Sequence, residues 1–143
     1  YNTAAAIRIL SPIQVDALRS AVSLLLVRHE ILRTRFAQTH HGVVAEVDQQ
    51  SQPDFEVIDA AGWDETRLAA EIKLTYEVPF DLHRGPLLKT RLFSLAPDHH
   101  VILLMLHHIV FDATSLWILQ SELQRLYQAE VGQTAELLPA LAA

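Results

Sequence analysis

The chain has 143 residues, half of them hydrophobic and a fifth charged, which is the composition of one globular domain and not of a disordered tail. A formal charge of −6 with no basic stripe argues against a nucleic-acid surface, and the lack of cysteine excludes disulfides, thiolate metal sites and thiolate catalysis. The longest apolar runs are about six residues against roughly twenty for a membrane span, and nothing resembles a signal peptide, so no membrane and a cytoplasmic location are expected.

Residue 1 is tyrosine, which suggests a piece of a longer chain. Ala6 to Leu10 reads as a strand. Ser11-Pro12-Ile13-Gln14 has the form of a capping box, with Ser11 as N-cap and a helix running to about Glu30. Its apolar face is Val15, Leu18, Val22, Leu25 and Leu26, and Arg28 and His29 at its end read as cations complementing the helix dipole. Thr34 to Gln38 and Val43 to Asp48 flank His40-His41-Gly42, a hairpin with both histidines exposed. After a polar loop, Phe55 to Ile58 reads as a short strand. Asp64 to Tyr76 reads as a helix with Leu68, Ile72 and Leu74 or Thr75 inward. Pro79, Gly85 and Pro86 punctuate a loop before the strand Leu87 to Leu95. The turn Ala96-Pro97-Asp98-His99 then makes an antiparallel hairpin with the next strand, leaving His99 and His100 solvated.

The remainder of the chain is organised around Val101 to Trp117. Six apolar residues without alternation, Val101 to Leu106, predict a strand covered on both faces. They run into His107 and His108, of which only one can face a given cavity because side chains on a strand alternate. Asp112 follows in the turn before a helix that Thr114 or Ser115 would cap, with Leu116, Leu119, Leu123 and Leu126 at helical spacing. On the residues alone, the pair fits structural imidazoles, a thin metal site, or a histidine acting on a nucleophile that arrives with the substrate. A serine triad lacks its G-x-S-x-G turn. The order β, α, β-hairpin, β, α, β-hairpin, α predicts a two-layer α/β sandwich, with helices packed on a mixed or largely antiparallel sheet.

His107-His108-Ile109-Val110-Phe111-Asp112-Ala113 resembles the HHxxxDG signature of the condensation domains of nonribosomal peptide synthetases, within the chloramphenicol-acetyltransferase-like acyltransferases. Arg28 to Phe36, RHEILRTRF, resembles that family's RHExLRTxF segment. Pro79-Phe80-Asp81-Leu82 with Gly85-Pro86-Leu87-Leu88 resembles its PFDLxxGPLL segment. The three occur in the family's order, and the resemblance covers residues 11 to 130.

The resemblance implies that residues 1–143 are the N-terminal lobe of a condensation domain whose C-terminal lobe is absent. The whole would join an acyl thioester on a donor carrier protein to an amine on an acceptor carrier protein. Both arrive on phosphopantetheine arms, with no metal and no cofactor bound by this chain. His108 is implied to face the channel and bind the attacking amine. His107 and Asp112 are implied to be structural, with Asp112 paired to Arg28 first or Arg33 second. Ala113 and Ser115 would line the channel, Ala113 standing where the family usually has glycine. An uncovered lobe face predicts a homodimer or low solubility of the piece. The alternatives are a non-catalytic half-domain serving structure or carrier docking, and an acyltransferase that uses coenzyme A.

Overall fold

The structure is a computed structural model that describes residues 2–107 and 113–132. In chain order it has β1 (Asn2–Ile9), α1 (Val15–Arg28), a 3-10 turn (Glu30–Arg33), β2 (Thr34–Thr39), β3 (Gly42–Val47) and β4 (Asp54–Asp59). Then come α2 (Glu65–Glu77), β5 (Leu88–Ala96), β6 (His99–His107) and α3 (Ala113–Glu130). The order of elements is the expected one.

Four strands form a sheet in the order β1-β6-β5-β4, and β2 and β3 pair separately as a hairpin. β6 is antiparallel to both β1 and β5, whereas β4 and β5 run parallel, so the sheet is mixed. The parallel pair follows from chain length: α2 lies between β4 and β5, and a crossover of this kind brings the second strand in parallel.

Because β6 is interior, its residues Val101 to Leu106 are all buried, and their alternation feeds two cores. Ile102, Leu104 and Leu106 join Leu18, Val22, Leu25 and Leu26 of α1 and Leu116, Leu119 and Leu123 of α3. Val101, Leu103 and Met105 join Phe93, Leu68 of α2 and Ala60, with Trp63, Ile72 and Phe80 packed beside them. The α/β sandwich with a mixed sheet is therefore observed, and its helical cover is shared between the two faces, α1 and α3 on one and α2 on the other.

Three local expectations are corrected. Ser11 does not cap α1: the helix starts at Val15 with Gln14 as N-cap and no side-chain cap bond, and the Gln14 amide donates to the Tyr127 hydroxyl at 3.0 Å. The Tyr127 hydroxyl of α3 thus takes the N-cap amide, one of the two donors that a capping box would satisfy. Thr114 and Ser115 lie inside α3, which begins at Ala113, and do not precede it. His100 is 6% exposed and not solvated, on β6 opposite Ile9 and Ser94. Its neighbour His99 contacts Arg8 at 2.5 Å. Both sit within the strand because β6 begins at the turn itself. By contrast, His40 and His41 are exposed at the hairpin turn, where Gly42 takes φ +104°. Among the described residues, no helix is long and apolar enough to cross a membrane.

Candidate functional site

Two of the stretches that carry the family resemblance, and His107 at the head of the third, are far apart in sequence and meet at the C-terminal end of β6. The Leu87 amide donates to the Leu32 carbonyl at 2.8 Å, and the His107 amide donates to the Leu87 carbonyl at 3.2 Å. The Phe36 amide donates to the Leu82 carbonyl at 2.7 Å, and His83 Nδ1 lies 2.7 Å from the Phe36 carbonyl. Residues 28–36, 79–88 and the end of β6 are thereby joined through backbone groups, which fix position more tightly than long side chains do.

The turn between Leu82 and Leu87 makes this junction reachable. The Asp81 side chain accepts from the His83 amide and its carbonyl accepts from the Gly85 amide, at 3.0 and 2.9 Å. Gly85 takes φ +60°, a left-handed conformation that other residues rarely adopt. It also faces the Thr34 carbonyl, 3.5 Å from where a Cβ would stand.

His107 is half-buried at the exit of β6, in phase with Leu103 and Met105 on the α2 face. Phe80 meets its ring edge-on, with centroids 5.8 Å apart and planes at 86°. Lys89 Nζ lies 4.6 Å from the Phe80 ring centroid and donates to the Pro79 carbonyl at 3.2 Å. Burial pushes the Lys89 ammonium below its ordinary value, against the opposing pull of Asp54. The cation–π contact and the carbonyl bond both favour the charged form but do not cancel the desolvation.

Arg28 and His29, expected only to complement the dipole of α1, converge on a carboxylate. Glu122 of α3, 7% exposed, receives Arg28 Nε at 2.5 Å and lies 3.2 Å from His29 Nε2, both on Oε1. His29 is itself buried. Arg33 turns back over the end of α1, donating from Nε to the Leu26 carbonyl at 2.7 Å and from Nη2 to the Val27 carbonyl at 3.3 Å. It satisfies helix-end acceptors that have no intrahelical partner.

His108 and Asp112 lie outside the described residues, and with them the expected pairing of Asp112 to Arg28 or Arg33. Ala113 opens α3 and Ser115 falls in its first turn. The backbone at Ala113 is helical, and no non-glycine residue among those described has a positive φ, so the conformational freedom of glycine is not required there. Among the described residues no three His, Cys, Asp or Glu side chains are grouped to hold a metal.

Sequence reasoning passed over Glu122, Phe80 and Lys89 as individuals. Glu122 carried a signal: it is a carboxylate set between Leu119 and Leu123 on the inward stripe of α3, where an acidic residue needs a partner.

The described geometry is a strand end held by two flanking motif segments, with an ion cluster that joins the end of α1 to α3. The Condensation domain family model matches residues 1–141. The chain belongs to the condensation-domain family. It is 35% identical over 137 residues to the cyclosporin synthetase simA of Tolypocladium inflatum, covering 96% of this chain and 1% of that protein. It is 37% identical over 151 aligned positions to the phosphinothricin tripeptide synthetase PhsC of Streptomyces viridochromogenes, covering 97% of this chain and 13% of that protein. Among solved structures, the SgcC5 protein from Streptomyces globisporus matches at 27% identity and TM-score 0.87, over 99% of this chain and 33% of that one. The X-domain from teicoplanin biosynthesis, solved in complex with OxyB, matches at 29% identity and TM-score 0.85, over 98% of this chain and 30% of that one. The chain thus spans a small part of these synthetases and about a third of the solved chains. The mixed α/β fold of the condensation domain is the chloramphenicol-acetyltransferase-like fold expected from the sequence.

Proposed function

We propose that residues 1–143 are the N-terminal lobe of a condensation domain that forms an amide between two carrier-bound substrates in nonribosomal peptide synthesis. The donor acyl group is a thioester on the phosphopantetheine arm of one carrier protein, and the acceptor amine is held on the arm of another. The amine nitrogen bonds the carbonyl carbon, the C–S bond breaks, and the donor arm leaves as its thiol after taking up the proton that the amine gives up. Thioesters need little electrophilic activation; what limits the step is a neutral amine held in line and a group that manages its proton. An ordinary imidazole, with a pKa near about 6.5, is mostly neutral at cellular pH and accepts a hydrogen bond from such an amine.

His108 is given that role. His107, with its ring against Phe80, supports the site, as do Arg28 and Arg33 at the end of α1 and Asp112 in the signature. Ala113 and Ser115 line the channel that a second lobe completes. The observation that carries this reading is the Leu32–Leu87–His107 backbone junction, which brings two motif segments and the head of the third to one place.

The test uses the complete protein that carries these residues, loaded donor and acceptor carrier proteins, and mass measurement of the acceptor arm. An amide on the acceptor arm is expected from carrier-bound donor and not from the same acyl group on coenzyme A. Product from acyl coenzyme A alone, or none from the carriers, overturns the proposal. A second reading, a non-catalytic docking module, is favoured by one observation: the related X-domain is a structure solved with another protein, OxyB, bound. Absence of amide together with retained carrier binding would select it.

A further inference from the structure

We propose that the cleft between β1 and α3 is a docking site for an extended, uncharged peptide segment of a partner polypeptide, which adds to the open edge of β1 as a further strand. The cleft has a volume of about 430 Å³ and is lined wholly by described residues. One wall is the consecutive run Ile7 to Ser11. A strand face presents only every second side chain, so consecutive lining means that the edge of the strand borders the cleft. The other wall is Gln120, Leu123, Gln124, Tyr127 and Gln128, a single stripe of α3 at helical spacing, and buried Leu18 and Ile102 form the floor. Along β6, Ile102 stands about 17 Å from His107, so the cleft is separate from the site described above and does not depend on the condensation reading.

The chemistry of the two walls selects the occupant. β1 is an outer strand of its sheet, and among the described residues nothing pairs with its free side. In an antiparallel edge strand every second residue turns its N–H and C=O outward, which leaves a template for another strand. Folded proteins blunt such edges with prolines, bulges or charges. β1 instead keeps an unbroken register with β6 from Asn2 to Ile9, has no proline, and carries one charge, Arg8, which is held by Glu65 at 2.9 Å and by His99. A helical partner would leave this edge unpaired, since its main-chain groups are spent on itself. The runs Ile7 to Ser11 and Gln120 to Gln128 each span about 12 Å, the length of about four residues of an added strand. Apolar side chains of that strand would reach Ile7, Ile9, Ile102 and Leu123, while the three glutamine carboxamides both donate to and accept from a peptide main chain. Arg8 is the one charged residue of the lining and is already engaged, so a charge on the segment would be buried without a partner. A second copy of this chain fits poorly, because a twofold contact sets cleft against cleft and leaves both unfilled.

The test is a ligand-observed NMR titration of the complete protein with a short acetylated and amidated peptide of alternating threonine and valine. Saturable binding is expected below about 1 mM, as suits a short segment. N-methylation of the central valine keeps every side chain but removes a main-chain donor, and should weaken binding at least about tenfold. Aspartate in place of that valine should do the same. On the protein, Gln124→Trp closes the mouth from an exposed position of α3, where the fold tolerates change, and should also weaken binding at least about tenfold. Arg125→Trp, exposed and outside the lining, should stay within about twofold of wild type. No saturable binding means that the protein's own chain covers the cleft, and overturns the proposal. Equal affinity for the N-methylated peptide reveals an apolar pocket indifferent to the strand edge, and overturns it too. Self-association that Gln124→Trp abolishes, without peptide binding, assigns the cleft to a second copy instead and has the same effect. Amide formation plays no part in these readouts, so this proposal and the condensation reading fail separately.

Discussion

Leu104 and Met105 are neighbours on β6, both essentially inaccessible, yet they close two different cores. Leu104 faces the α1/α3 side, where the described cluster holds fourteen buried residues and an ion cluster at its edge. Met105 faces α2, where the cluster holds six and charged groups stay at the rim, such as Lys89 over Phe80 and Arg91 on Asp54 at 2.8 Å. One side is therefore a deep, rigid platform; the other is a thin cover that holds the strand end by aromatic and polar contacts. The difference suggests that stability is concentrated on the first side and placement of His107 on the second.

Truncations of adjacent residues break that comparison most directly. Leu104→Ala should cost about 3–5 kcal/mol and Met105→Ala about 2–3, because the larger, more rigid cluster collapses less around a void and methionine sites adapt. Equal denaturation midpoints for the two variants, or a lower one for Met105→Ala, would remove the distinction. Gly85→Ala should cost about 1–2 kcal/mol, since a side chain must then take φ +60°, and it should loosen the junction of Leu87 with Leu32 as seen by amide exchange. Asp64→Ala should cost about 1 kcal/mol, confined to α2, because it removes the side-chain acceptor of the Arg67 amide at 2.7 Å. Helicity lost from α1 instead would contradict the separation of the two sides.

The smallest effect concerns pH. Burial lowers the Lys89 pKa in the folded state, so the unfolded chain holds that proton more firmly. The penalty is present in full below the folded pKa, fades as pH rises through it, and is gone above the ordinary value of 10.5. Stability of the wild type relative to Lys89→Met should therefore rise with pH on the alkaline side. A difference that stays flat or falls would show that Lys89 is not desolvated.

Most of the fold was legible because its signals are local. The apolar spacing of α1 and α2, the Gly42 turn, the Pro97 turn and the unbroken run of β6 each follow from period and turn chemistry. What escaped notice is non-local. The N-cap amide of α1 is taken by Tyr127, more than a hundred residues away, and no local pattern encodes that. His100 is buried because β6 lies between β1 and β5, which a turn-adjacent histidine does not reveal. At the site, the resemblance marked the three segments, yet their contact through Leu32, Leu87 and His107 uses backbone groups that any sequence possesses. The Arg28–His29–Glu122 cluster was half legible: the cations were noticed, and the acid in the inward stripe of α3 was the sign of where they go.

The proposed function divides the work between two adjacent histidines. The direct measurement is amide formation and thermal stability of His107→Ala and His108→Ala, side by side in the complete protein with carrier-bound substrates. His108→Ala should keep its melting temperature and lose about 10²- to 10⁴-fold in rate, and His107→Ala should melt earlier because it gives up the packing against Phe80. A stable, inactive His107→Ala beside a fully active His108→Ala would contradict the assignment.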